Sequence, residues 1–170
     1  MAEIKSTLDI IMEKTKNLSM TEEERQKLLL KEGSGKIKGW VQKFMDDKME
    51  LDQLKTAFQR ESKSIPELKS LMKMELRERL SVEQYEDNSK IFQLFSELLG
   101  VEIAPFAQTV NDFQNKITTE KEKRISTLKD NLQKMGIHGS SVLPNLFQDE
   151  QWFATEKALN NDFKQQLRKL

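Results

Sequence analysis

Met135-Gly136-Ile137-His138-Gly139-Ser140-Ser141-Val142-Leu143-Pro144-Asn145 is the densest cluster of helix-breaking residues in the chain. A strongly helical pattern lies on each side of it. Upstream, residues 105–135 hold no breaker after Pro105, which suits a first helical turn because its missing N–H is not needed there. An uninterrupted helix of that length is roughly 45 Å long. Its apolar stripe runs through Phe106, Val110, Phe113 and Ile117, then Ile125, Leu128, Leu132 and Met135. Between the halves, Thr118-Thr119-Glu120-Lys121-Glu122-Lys123-Arg124 has no apolar residue, and the eight-residue step from Ile117 to Ile125 breaks a heptad register. The two halves are therefore expected to face different neighbours, or the middle to project into water.

Downstream, residues 147–170 carry Trp152, Leu159, Phe163, Leu167 and Leu170 at helical spacing. Asp149 and Glu150 lie at the start of this segment, and Lys164, Arg168 and Lys169 near its end, which suits the helix dipole. The breaker stretch therefore predicts a long antiparallel helical hairpin, with Leu132 and Met135 near Phe147 and Trp152. Gly136 is expected as a left-handed C-cap and Asn145 as the N-cap of the last helix. A helical hairpin needs only about two to five connecting residues. The longer stretch here contains Ile137, Val142, Leu143 and Leu146, so the loop is expected to fold onto the helices or onto a partner.

Working outward, residues 82–99 contain Val82, Tyr85, Ile91, Phe92, Leu94, Phe95, Leu98 and Leu99. The end of this segment is apolar on nearly every face, which predicts that 91–99 is the most buried part of the protein. Gly100 should end it. Ser64 with Glu67 and Ser81 with Gln84 fit capping boxes, and the first of these should open a helix using Ile65, Leu68, Met72, Leu76 and Leu80. Residues 36–62, with Ile37, Val41, Phe44, Leu51, Leu54 and Phe58, read as one long helix, straight or kinked, with the choice between one helix and two left open by the pattern. A helix capped by Ser19 or Thr21 should precede it, carry Leu28, Leu29 and Leu30, and fail at Gly33-Ser34-Gly35. Ile4, Leu8, Ile11, Thr15 and Leu18 form a single stripe at the start.

Composition narrows the function classes. Apolar residues make up 36% and charged residues 33%, against nearer 45–50% and about 25% for an average domain. A high surface-to-core ratio and an elongated helical shape follow. Net charge is zero with acids and bases interleaved, which makes nucleic-acid binding unlikely, because that rests on clustered Lys and Arg. The 170 residues include no cysteine, so thiolate catalysis and Cys-based metal sites are excluded. No run approaches the roughly 20 apolar residues of a membrane span, and Met1-Ala2-Glu3-Ile4-Lys5 opens into an amphipathic pattern, so a signal-type leader is not expected. The expected location is cytoplasmic.

Candidate chemistry is sparse. His138, the only histidine, has Ser140 and Ser141 beside it and Asp149 or Glu150 nearby. A triad needs these groups within hydrogen-bond reach, and hairpin-turn chemistry accounts for the same residues. Gly33-Ser34-Gly35-Lys36 resembles part of a phosphate loop, but Leu30 and Ile37 stand where glycine and Ser or Thr are required. Asp46, Asp47 and Glu50 read as a solvated acidic face, since di-iron bundles need paired Glu-x-x-His motifs. Aromatic spacings such as Trp40 with Phe44 read as core.

The reading is an all-α protein: an elongated bundle of about six helices ending in a long antiparallel helical hairpin. An N-terminal helical bundle is expected over 1–100 and a C-terminal long hairpin over 101–170, packed on it or extending from it, or the two as one continuous domain. The expected function is a non-enzymatic helical protein–protein interaction module, an adaptor, assembly factor or regulator, with a protein partner or a homodimer. No catalytic, cofactor-binding or metal residue is expected. The interaction or loop candidates are Gly136, His138, Ser140, Ser141, Leu143, Asn145 and Trp152. The alternative is a small-molecule-binding protein or enzyme with its site at 136–145, and the weaker alternative is nucleic-acid binding through a Lys-rich face.

Overall fold

The computed structural model describes residues 21–82 and 85–170. The stripe from Ile4 to Leu18, and Gln84 of the expected Ser81 box, lie outside them. Every regular element among the described residues is helical. The described residues form six α-helices: α1 (Glu22–Met45), α2 (Leu51–Ser62), α3 (Leu68–Arg79), α4 (Tyr85–Gln93), α5 (Ala104–Lys134) and α6 (Glu150–Lys169). The chain divides into two compact units, Met1–Leu71 and Met72–Leu170. The boundary between them falls within α3.

In the first unit, Thr21 caps α1. Its Oγ accepts from the Glu24 N–H at 3.2 Å, and Glu24 Oε2 accepts in return from the Thr21 N–H at 2.9 Å. The expected break at Gly33-Ser34-Gly35 does not occur, and α1 runs through it. Glycine costs a helix interior about 1 kcal/mol but does not end it. At Gly33 the missing side chain makes room for a neighbour. A Cβ there would stand 3.3 Å from the terminal methyls of Ile65 and Leu68 and 3.5 Å from that of Leu71.

The expected single helix over 36–62 is two. Helix α1 stops at Met45, Asp46 is its C-cap, and Asp47 adopts a left-handed φ of 56°. Aspartate is one of the few side chains that tolerate that conformation. Helix α2 restarts after Glu50, whose N–H donates to Gln53 Oε1 at 3.1 Å. Asp46, Asp47 and Glu50 therefore sit in a connection and not on one helical face. The Ser64–Glu67 box also fails, since α3 begins at Leu68. The N–H groups of Ser64 and Ile65 both still donate to the Glu61 carbonyl, each at 3.0 Å. Ser64 is thus committed to ending α2. The core of this unit is Ile37, Val41, Phe44, Leu54, Phe58, Ile65 and Leu68.

The second unit is built on Met72 and Leu76 of α3 and on Leu80 just past its end, all fully buried. Asn88, the one buried polar residue described, clamps the α3–α4 connection. Its Oδ1 accepts from the Ser81 N–H at 3.0 Å and its Nδ2 donates to the Ser81 carbonyl at 2.6 Å. Helix α4 continues as a π-helical turn over Leu94–Leu98, and Gly100 ends it with a φ of 64°. Ile91, Leu94, Phe95 and Leu99 are buried, but Phe92 and Leu98 are only half-buried and Ser96 and Glu97 are exposed. So 91–99 shares the centre with α3 and does not dominate it.

Helix α5 is continuous for 31 residues. The stretch 118–124 is helix, mostly solvent-facing. Only its first half enters the core: Phe106, Val110 and Phe113 are buried, while Ile117, Ile125, Leu128 and Leu132 are half-buried. Phe106 stacks on Phe95 with centroids 4.6 Å apart, and Phe113 meets Phe163 of α6 at 5.4 Å. Lys164 of α6 donates to the carbonyls of Glu78 and Leu80 at the end of α3. Burial holds its ammonium below the usual lysine range, opposed by nearby Glu78.

Candidate functional site

The turn between α5 and α6 is built from explicit capping chemistry. Gly136 takes a φ of 80° just past α5. Its N–H donates to the Gln133 carbonyl at 3.0 Å, and the Ile137 N–H to the Leu132 carbonyl at 2.9 Å. That pair of bonds is the Schellman motif, which satisfies carbonyls a helix end would otherwise leave open. A second turn follows, with the Val142 N–H donating to the Gly139 carbonyl at 3.2 Å.

Asn145 does cap a helix, but a short one. Its Oδ1 accepts from the Phe147 N–H at 3.1 Å and opens a 3-10 turn over Leu146–Gln148. Asp149 caps α6, its Oδ1 accepting from the Trp152 N–H at 2.6 Å. Arg124 then locks that cap to α5. Its Nε donates to Asp149 Oδ1 at 2.9 Å and its Nη2 to Oδ2 at 2.6 Å. The Arg124 hydrogen bonds hold the Asp149 carboxyl below the usual aspartate range, against the opposing effect of desolvation. A paired guanidinium and carboxylate of this geometry is among the stronger charge-assisted contacts.

The catalytic suspects are not assembled. His138, Ser140 and Ser141 are all exposed, and no hydrogen bond joins them among the described residues. Both oxygens of Asp149, the nearby carboxylate, are taken by Arg124. A cavity of about 140 Å³ lies beside the turn, lined by Lys129, Gln133, Ile137, His138, Gly139 and Val142. Small-molecule sites are usually about 300–1,000 Å³. No group of three or more His, Asp or Glu among the described residues could hold a metal ion. No described helix is long and apolar enough to cross a membrane.

The turn does present apolar side chains to water. Leu143 is 82% exposed, Phe147 fully so, Met135 73% and Phe153 67%. The expected packing of Met135 against Phe147 is therefore absent, because the 3-10 turn directs Phe147 outward. The expectation that the loop folds down holds for Val142 and Leu146, which are half-buried, and fails for Ile137 and Leu143, which are exposed. Trp152 is a core residue at 6% exposure and is not available to a partner.

Phe147, Phe153 and Arg124 are the contributors that the sequence reading did not single out as site residues. Phe153 had a signal: neighbours on a helix point about 100° apart, so Trp152 and Phe153 cannot share one stripe. Arg124 had none, since its partner lies 25 residues away. No protein-family model, curated protein or solved structure matches the chain.

Proposed function

We propose that the chain is a non-enzymatic helical interaction module, an adaptor, assembly factor or regulator, that meets a protein partner or a second copy through the α5–α6 turn. The observation that carries this is the exposure of Leu143, Phe147 and Phe153 on a backbone pinned at both ends. Scattered exposed apolar residues need no explanation. Five of the large exposed apolar side chains, however, fall between Met135 and Phe153. Exposed apolar surface concentrated in one place marks contact sites. Aromatic anchors are also the residues that dominate binding energy at interfaces.

Sedimentation velocity and affinity capture test this together. Wild-type protein should self-associate or recover a partner, and the Leu143→Ser, Phe147→Ser double variant should lose that while keeping its helicity. A monomeric wild type that recovers nothing would sink the proposal. The competing reading, a ligand or catalytic site at 136–145, rests on His138 beside the small cavity. It requires His138→Ala to abolish a ligand-induced melting shift or an activity.

A further inference from the structure

A second surface lies away from the turn. Midway along α5 and α6 the two helices leave an open groove of about 1000 Å³. Its α5 wall runs from Thr109 to Glu120 and its α6 wall from Thr155 to Gln166. Each wall is thus roughly 16 Å long, about three helical turns. The apolar part is Phe113, Ala158 and Leu159. The lining charges are Asp112, Glu120 and Lys116 on one wall and Asp162 on the other; Lys123 pairs with Glu120 at 2.7 Å, which leaves Asp112 and Asp162 as the acidic rim. Lys116 is turned onto the Phe113 ring, its Nζ 4.3 Å from the centroid. Gln108 Nε2 donates to Asp112 Oδ1 at 2.9 Å and Gln166 Nε2 to Asp162 Oδ1 at 3.3 Å, which fixes one carboxylate on each wall.

We infer that this groove receives one amphipathic helix of a partner protein, about three turns long, with apolar residues on one face and Lys or Arg along both flanks. A groove between two packed helices is the shape that the ridge of a third helix fills. Apolar residues at i, i+4, i+7 and i+11 reach along a floor of this length. An acidic rim on both walls selects a basic flank on each side and rejects an acidic one. The same rim repels the phosphates of a nucleic acid. This site is independent of the exposed turn, so either can fail without the other.

The test uses a fluorescein-labelled synthetic helix with leucines at that spacing and lysines on its flanks, and a twin with glutamates in place of the lysines. In anisotropy titrations at low salt the lysine helix should bind the wild-type protein, with the twin weaker by about tenfold or more, as two rim ion pairs allow. Asp112→Lys with Asp162→Lys should reverse that order. Should that variant not fold, Asp112→Asn with Asp162→Asn should still weaken the lysine helix several-fold. Leu159→Asp should remove binding with unchanged circular dichroism, and Leu143→Ser with Phe147→Ser should leave it intact. Three results overturn the inference: no binding of the lysine helix, equal binding of the twins, or binding indifferent to the rim substitutions. So would a wild-type dimer that Leu159→Asp dissociates, because a second copy would then occupy the groove.

Discussion

Replacing Gly35 with alanine should stabilise the protein, although a sequence reading places a helix break there. Gly35 lies inside α1, and a Cβ added to it meets no atom within 4 Å. Alanine is favoured over glycine in a helix interior by about 1 kcal/mol. For a chain of this size that raises the melting temperature by roughly 2–4 °C. Gly33→Ala gains the same helical preference but meets three methyls at 3.3, 3.3 and 3.5 Å. Those methyls end flexible side chains and need to yield only a few tenths of an ångström. Overpacking costs of about 1–3 kcal/mol at their lower end cancel the gain, so Gly33→Ala should be near neutral. Gly33→Leu cannot be absorbed and should cost that full range or more. The assay is urea unfolding followed by far-UV circular dichroism, with the slope checked for constancy across variants. The informative quantity is the difference between the two alanine variants, about 1 kcal/mol in favour of position 35. A Gly35→Ala protein that loses about 1 kcal/mol would refute the continuous helix, because it would mean that position 35 needs a conformation closed to alanine.

Asn88→Ala removes both amide hydrogen bonds to the Ser81 backbone from a part-buried place, and at roughly 0.5–1.5 kcal/mol each should cost about 1–3 kcal/mol; urea unfolding measures it, and a neutral result would mean water replaces the amide. Asp149→Asn keeps an oxygen for the α6 cap but weakens the Arg124 pair, whereas Asp149→Ala removes both, so stability should fall in the order wild type, asparagine, alanine. Because the folded carboxyl of Asp149 is held low, the unfolded state binds the proton more readily. That contribution is present above the unfolded aspartate value of about 3.9 and lost as pH falls through the folded value. The gap between wild type and Asp149→Asn should therefore close on acidification below about pH 4; a gap that is constant with pH would rule out the ion pair as its cause. Leu143→Ser with Phe147→Ser should change stability by less than about 0.5 kcal/mol, as exposed sites do, while reducing association in sedimentation; a large loss of stability would mean that these residues are packed.

The helices were legible wherever periodicity and local capping agreed. The stripe from Phe106 to Phe113, the Thr21–Glu24 box and the Gly136 C-cap are local patterns, and local patterns survive in the fold. The errors share a different origin. Gly33 looks like a breaker only if the segment carrying Ile65 and Leu68 is ignored, and that segment is more than thirty residues away. Ser64 looks like a cap until Glu61 is seen to hold its N–H. The continuous pattern over 36–62 hid the Asp47 reversal because Val41, Phe44 and Leu54 all remain buried on either side of it. Periodicity reports which side chains are buried. It does not report whether one helix or two bury them.

The candidate docking turn was legible as a place and illegible as a surface, and Arg124 explains why. It belongs to the one stretch of α5 without an apolar residue, which on sequence alone is only a solvated span. In the fold it reaches across to Asp149 and, through that carboxylate, fixes the Trp152 N–H and the first turn of α6. Trp152 is thereby committed to the core. Its neighbour Phe153, about 100° around the helix, is left outside, and Phe147 on the preceding turn is left fully exposed. An aromatic ring on a loose loop can collapse onto nearby surface and recover part of the roughly 1.5–3 kcal/mol that burial offers. A ring on a 3-10 turn held by Asn145 at one end and Asp149 at the other cannot. The same polar contacts that order the turn therefore hold Phe147 and Phe153 in water among the described residues, and that exposure is what the proposed docking at this turn rests on.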